Sequence, residues 1–118
     1  MSLKFLLNEK PTKLWKDRMI EFGDDLFTEE RLELCDKALD SFINRLETID
    51  PDSDERNEEI MNCVEEIVIA FNELNDENDY FIETMEREEL AEFIDNAAKI
   101  VGLEVQDGLD ITEKWRDW

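Results

Sequence analysis

Histidine is absent from all 118 residues. The commonest general base and the commonest zinc ligand go with it, so any catalysis would have to run on carboxylates. Cysteine is scarce: Cys35 and Cys63 stand far apart with no CxxC pairing. Each falls on an apolar helical face, which predicts free core thiols in a reducing compartment. Two prolines and three glycines punctuate the chain at Pro11, Gly23, Pro51, Gly102 and Gly108. Long apolar runs are missing as well. FLL at residues 5–7 is far too short for the apolar region of a signal peptide, and nothing approaches the length of a membrane span. The expectation is a cytoplasmic protein without membrane contact. Cations are the last deficit, 13 Lys and Arg against 34 Asp and Glu, for a net charge of −21. Nucleic acid is therefore an unsuitable partner, because affinity there comes mainly from Lys and Arg neutralising phosphates. A basic protein is the natural complement.

A hydrophobic fraction of 42% supplies a core, and a chain of this length makes one domain, 1–118, that buries roughly two-thirds of its unfolded surface. Charge is unevenly spread. Residues 1–18 carry Lys4, Lys10, Lys13, Lys16 and Arg18 against Glu9 and Asp17, a local +3, so everything after them sums to −24. Residues 1–22 read as a basic arm with a short helix beginning near Pro11 or Thr12, expected to pack across the acidic body.

Apolar spacing then predicts three long amphipathic helices. The first runs about 28–49, capped by Thr28, with Leu32, Cys35, Leu39, Phe42, Ile43, Leu46 and Ile49 inward. The second covers about 55–75, capped by Asp54, with Ile60, Cys63, Val64, Ile67, Phe71 and Leu74 on one face. The third, about 85–101, has Thr84 as its cap and Gly102 as its left-handed stop, with Leu90, Phe93, Ile94, Ala97, Ala98 and Val101 inward. Only YFI at 80–82 and LEV at 103–105 alternate as a strand would. The fold class is all-α, a helical bundle with short helical segments at both termini.

Residues 103–118 form a closing segment. With Asp110 as cap, a turn or two of helix aligns Ile111, Trp115 and Trp118 in one apolar stripe. So short a helix is unstable alone and must dock, by expectation on its own bundle and otherwise on a partner or a second copy. On the second long helix Ile69 falls opposite the core stripe, among Asn62, Glu65, Glu66, Asn72 and Glu73. Either the closing segment covers it or it is the apolar centre of an acidic binding patch. On the first, Glu29, Glu33, Asp36, Asp40 and Glu47 share one flank with no interleaved lysine, a repulsion that a basic partner or a cation would relieve.

Calcium does not fit. DPDSDERNEEIM puts Asp50, Asp52 and Asp54 at EF-hand positions, but Glu55 stands where the loop needs glycine and Met61 where it needs a bidentate acid; NDENDYFIETME, with a correct Glu86, has Tyr80 for the glycine. EERLELCD at 29–36 resembles the EExxE half of the all-α nucleotide pyrophosphohydrolases. That resemblance implies carboxylates from two helices holding Mg²⁺ against a nucleotide's phosphates. The ExxD that follows in that family is matched only by Glu73 and Asp76, and EREELAEFID at 86–95 has no second site after it. The closing DITEKWRDW resembles the DITEEWREW-like tail of short bacterial proteins, which implies no activity. In size, acidity and helical content the chain is similar to immunity proteins that neutralise basic nuclease toxins.

The reading that follows is an acidic protein-binding or regulatory module, not an enzyme, with no cofactor or bound metal. It engages a basic protein partner, as an inhibitor or immunity-type factor would, through Glu29, Glu33, Asp36, Asp40, Glu47, Glu65, Glu66, Ile69, Glu73, Trp115 and Trp118. A Mg²⁺-dependent nucleotide hydrolase is the alternative. A structural homo-oligomer, such as a homodimer, is the third.

Overall fold

The computed structural model describes residues 6, 10–22, 29–50, 52–77, 82–103 and 111–118. Four helices run through them, α1 (Pro11–Phe22), α2 (Glu29–Glu47), α3 (Arg56–Glu77) and α4 (Thr84–Ile100). No strand occurs among the described residues. The molecule is thus the all-α bundle that the periodicity predicts, three long helices with a shorter one before them. Ile82 and Leu103, the described parts of the two alternating stretches, are buried non-helical residues at either end of α4.

Local chemistry sets the helix ends. Pro11 is the first residue of α1, where its missing N–H and fixed φ suit a helix start. Glu29 and Glu30 occupy the first turn of α2 and Arg45 the last, each sign matched to the helix dipole; Thr28 and Asp110, the expected caps, lie outside the described residues. α2 stops two residues short of Ile49. There Thr48 and Ile49 donate three residues back, to the carbonyls of Arg45 and Leu46 at 3.1 and 3.2 Å, tightening the chain out of the α-helix. At the start of α3, Glu55 rather than Asp54 holds the cap position, its carbonyl accepting the Glu59 N–H at 2.9 Å, while in the turn before it Ser53 Oγ accepts the Glu55 N–H at 3.2 Å. α4 begins one residue earlier than expected, because the Glu83 carbonyl already accepts the Arg87 N–H at 2.9 Å. Thr84 is therefore inside the helix, and Glu83 holds the cap position without a side-chain bond. Gly102 does end α4 as expected, at φ +100°. Its N–H donates to Lys99 and that of Leu103 to Ala98, both at 3.0 Å, the paired bonds of a Schellman motif.

α3 packs most extensively on α2, and α1 lies across α2 and α4. Leu39, Ile43, Leu46, Ile60, Val64, Val68, Phe71, Leu90 and Ile94 are fully buried, and each such side chain contributes about 1.5–3 kcal/mol. Trp15 of α1 is among them, whereas its neighbour Leu14 is half exposed. Asn75 is buried near the end of α3, its Oδ1 accepting the Ile82 N–H at 2.9 Å and so guiding the chain into α4.

Residues 111–118, the described end of the closing segment, dock on this bundle as a single turn followed by irregular chain. The Thr112 carbonyl accepts the N–H groups of Trp115 and Arg116 at 3.3 and 3.1 Å, closing the turn. Ile111 and Thr112 are buried, and Trp115 and Trp118 pack half-buried against the core. Asn72 of α3 holds the backbone at two points. Its Nδ2 donates to the Trp115 carbonyl at 2.7 Å, and its Oδ1 accepts the Asp117 N–H at 2.9 Å. The Trp118 indole N–H reaches the Val68 carbonyl at 3.5 Å. Ile69, one residue along from Val68, stays 40% exposed; the segment covers the neighbouring flank instead. Asn72→Ala should therefore cost about 1 kcal/mol, because the part-buried Trp115 carbonyl loses its donor while the exposed Asp117 N–H turns to water. Removing residues 111–118 should cost about 3–5 kcal/mol, as losing large aromatics does. Urea unfolding checks both, with the smaller loss expected from Asn72→Ala.

Candidate functional site

The acidic flank of α2 is already partnered from within. Lys10, just ahead of α1, places its ammonium 2.9 Å from Asp36 and 2.7 Å from Asp40. Thr12 donates its hydroxyl to Asp36 at 2.7 Å. Only 13% of the Lys10 side chain is exposed. Burial by itself would raise the pKa of Asp36, but the hydrogen bonds from Lys10 and Thr12 and the lysine's charge outweigh it and hold the carboxyl below its ordinary value. Burial likewise pulls Lys10 down, and its bonds to Asp40 and Asp36 more than reverse that. Farther along the flank, Glu33 pairs with Lys37 at 3.2 Å. The flank read as uncompensated is therefore crossed by the N-terminal arm and interleaved with a lysine after all. Glu29 and Glu33 line an open groove of about 650 Å³, together with Lys13, Lys16 and Leu32. Glu47 is exposed at the far end of α2.

α1 reaches α4 by the same device. The Trp15 indole N–H donates to Glu89 at 3.3 Å and Arg18 donates to the same carboxylate at 2.5 Å. Glu86, only 7% exposed, lies 3.8 Å from Arg18. Burial pushes its pKa up, and the arginine only partly offsets that.

The outward side of α3 differs. Glu58, Asn62, Glu66, Ile69 and Glu73 are exposed along it and Glu65 is half-buried beside them. Glu66 pairs with Arg45 of α2. Ile69 stands in the middle of these groups, so α3 keeps an apolar centre ringed by carboxylates. Trp115 and Trp118, by contrast, face their own bundle on the adjoining flank. The structure thus divides the predicted residues into three places: the α1–α2 groove, the outward stripe of α3 and the docked segment.

Both cysteines are free and buried. Burial, then the neighbouring Asp36 charge, pushes the Cys35 thiol up to about 12, and burial also raises Cys63 despite Arg45 close by. Neither is poised as a nucleophile. Among the described residues no three His, Cys, Asp or Glu side chains are grouped to hold a metal ion, and an ammonium occupies the space between Asp36 and Asp40. No described helix is long and apolar enough to cross a membrane. No family model, curated protein or solved structure matches the chain.

Lys10 and Arg45 are the residues that local spacing does not single out, since they act on groups distant in sequence, whereas Lys37 stands one helical turn from Glu33. Their chemistry has a pH signature. Asp36 has a folded pKa below its unfolded value of 3.8, so its contribution is present above that value and is lost as pH falls through the folded one. Asp36→Asn should lower the melting temperature at pH 7, and its difference from wild type should vanish in acid below both values. Glu86 has the opposite sign: its folded pKa lies above 4.5, so its burial opposes folding at neutral pH, and that cost fades as pH falls through the folded value toward 4.5. Glu86→Gln should melt higher than wild type at pH 7 and no higher once the wild-type carboxyl is protonated.

Proposed function

We propose that this protein is an acidic binding module that engages a basic protein partner, in the manner of an inhibitor or immunity-type factor, through the outward face of α3. One observation carries the reading: Ile69 is 40% exposed at the centre of Glu65, Glu66 and Glu73, and the closing segment leaves it uncovered. An apolar anchor within a polar ring is the layout of interface hot spots. The cations sharpen it. Lys10, Arg18, Lys37, Arg45 and Lys99 each pair with a carboxylate of this chain, so a net −21 is left for the surroundings to answer. Buried free thiols suit a reducing compartment such as the cytoplasm.

This reading replaces Asp36 and Asp40, which Lys10 already serves, by the α3 stripe as the principal contact. Once a partner has been recovered from the native cell and identified by mass spectrometry, its association should be fast and should slow steeply with salt. Replacing Glu65, Glu66 and Glu73 by glutamine should slow it further, and Ile69→Ala should speed dissociation roughly tenfold. Rates indifferent to salt and to all four changes would remove α3 from the account.

A second measurement separates binder from enzyme. Millimolar MgCl₂ should raise the melting temperature no more than NaCl of matched ionic strength, and no nucleoside triphosphate should lose pyrophosphate. A Mg²⁺-specific rise abolished by Glu33→Ala would move the assignment to a metal-dependent hydrolase centred on α2.

A further inference from the structure

Resting on that reading, the outward side of the α2–α3 pair specifies what kind of segment the partner presents. A cleft of about 110 Å³ opens between Ala38, Ser41 and Phe42 of α2 and Cys63, Ile67 and Ala70 of α3, beside the Arg45–Glu66 pair. Its floor is apolar, since Phe42, Cys63 and Ile67 are buried core residues. Its lips are small: alanine and serine keep the two ridges low, so another helix axis can approach closely. Residues flanking the cleft continue the pattern. Leu34, Ala38, Ser41 and Arg45 follow one another at spacings of one helical turn along α2, as do Asn62, Glu66, Ile69 and Glu73 along α3. Leu34 and Ile69, two of the exposed large apolar side chains of the molecule, are both 40% exposed and stand one on each of these rows.

We propose that this cleft receives an apolar side chain from a basic amphipathic helix of the partner, laid along the α2–α3 face. The cleft has room for one aliphatic side chain, with Ile69 and Leu34 extending the apolar contact on either side, which is recognition of a helix in a groove. Charge selects the occupant. On α2, Lys37 and Arg45 are matched by Glu33 and Glu66, whereas Glu58 and Glu73 are exposed on the α3 row with no ion pair to a described residue, so the face as a whole is acidic. A second copy would bring another −21 against it, whereas lysines on the polar side of an incoming helix would pair with that acidic row.

The test uses the full chain and two synthetic peptides, one of leucine and lysine patterned as an amphipathic helix and one with glutamine in place of every leucine. Isotope-labelled protein is titrated with each and followed by NMR. The leucine peptide should saturate and shift the amides of Ala38, Ser41, Glu66 and Ala70. Ala70→Leu, which fills the cleft, should weaken it about tenfold, and Ser41→Trp, at the exposed lip, should do the same without touching the core. The glutamine peptide should bind more weakly and ignore both changes. If the two peptides bind alike and neither substitution matters, the cleft is not the site, although an acidic face for basic partners survives. If neither peptide binds, both proposals fail. If these amides instead shift with protein concentration alone, the face belongs to a second copy of the chain, and the helix of a basic partner is the wrong occupant.

Discussion

Electrostatic self-repulsion is the constraint under which this bundle is assembled. With 34 acidic residues and 13 basic ones, packing four helices brings like charges together, and compaction works against them. The remedy is placement. Lys10 lies between two carboxylates of α2, Arg18 between two of α4, and Arg45 joins α2 to α3. Each of these cations sits at a junction between elements rather than in the middle of a solvated face. The stretch from Lys10 through the short α1 consequently does more than fill space with Trp15: Lys10 brings a cation to α2 and Arg18 one to α4.

α3 is the element to which the rest is referred. One side meets α2, another contributes Val64 and Phe71 to the core, a third is held by the closing segment through Asn72, and the remaining side is open. A helix with three covered sides has little freedom to adjust, so whatever projects from the fourth is rigidly presented. That is a favourable condition for binding, because a preorganised surface loses little entropy when a partner arrives.

Residue spacing was enough for the helices but not for what covers their flanks. The inward rows of α2, α3 and α4 are found where the 3.6-residue period puts them, because burial against a neighbouring helix is a local, repeating demand. Val68 escaped that row. It lies to one side and is buried on the flank where the closing segment docks, a segment more than forty positions away in the chain. Trp15 shows the converse: three tryptophans look alike in composition, yet the one in α1 is enclosed and the two at the end are half-exposed. The acidic flank of α2 shows both sides of this: the basic arm does pack across the acidic body, as its charge predicts, but that Lys10 would sit between Asp36 and Asp40 depends on how the arm crosses the helix.

The grip of Asn72 on the closing segment is made to peptide groups on either side of Arg116, not to its side chain. Identity and length are thereby decoupled. Substitutions at Lys114 or Arg116 would leave the two backbone bonds in place, although they would remove the cations that lie 5.5 Å over the Trp115 and Trp118 rings. The spacing of this stretch is not free, for one residue more or fewer between Trp115 and Trp118 would carry the second indole out of reach of the Val68 carbonyl while the first remained in place. A related sequence would then be recognised at this end by the interval between its two tryptophans together with an amide-bearing residue at the Asn72 position of α3.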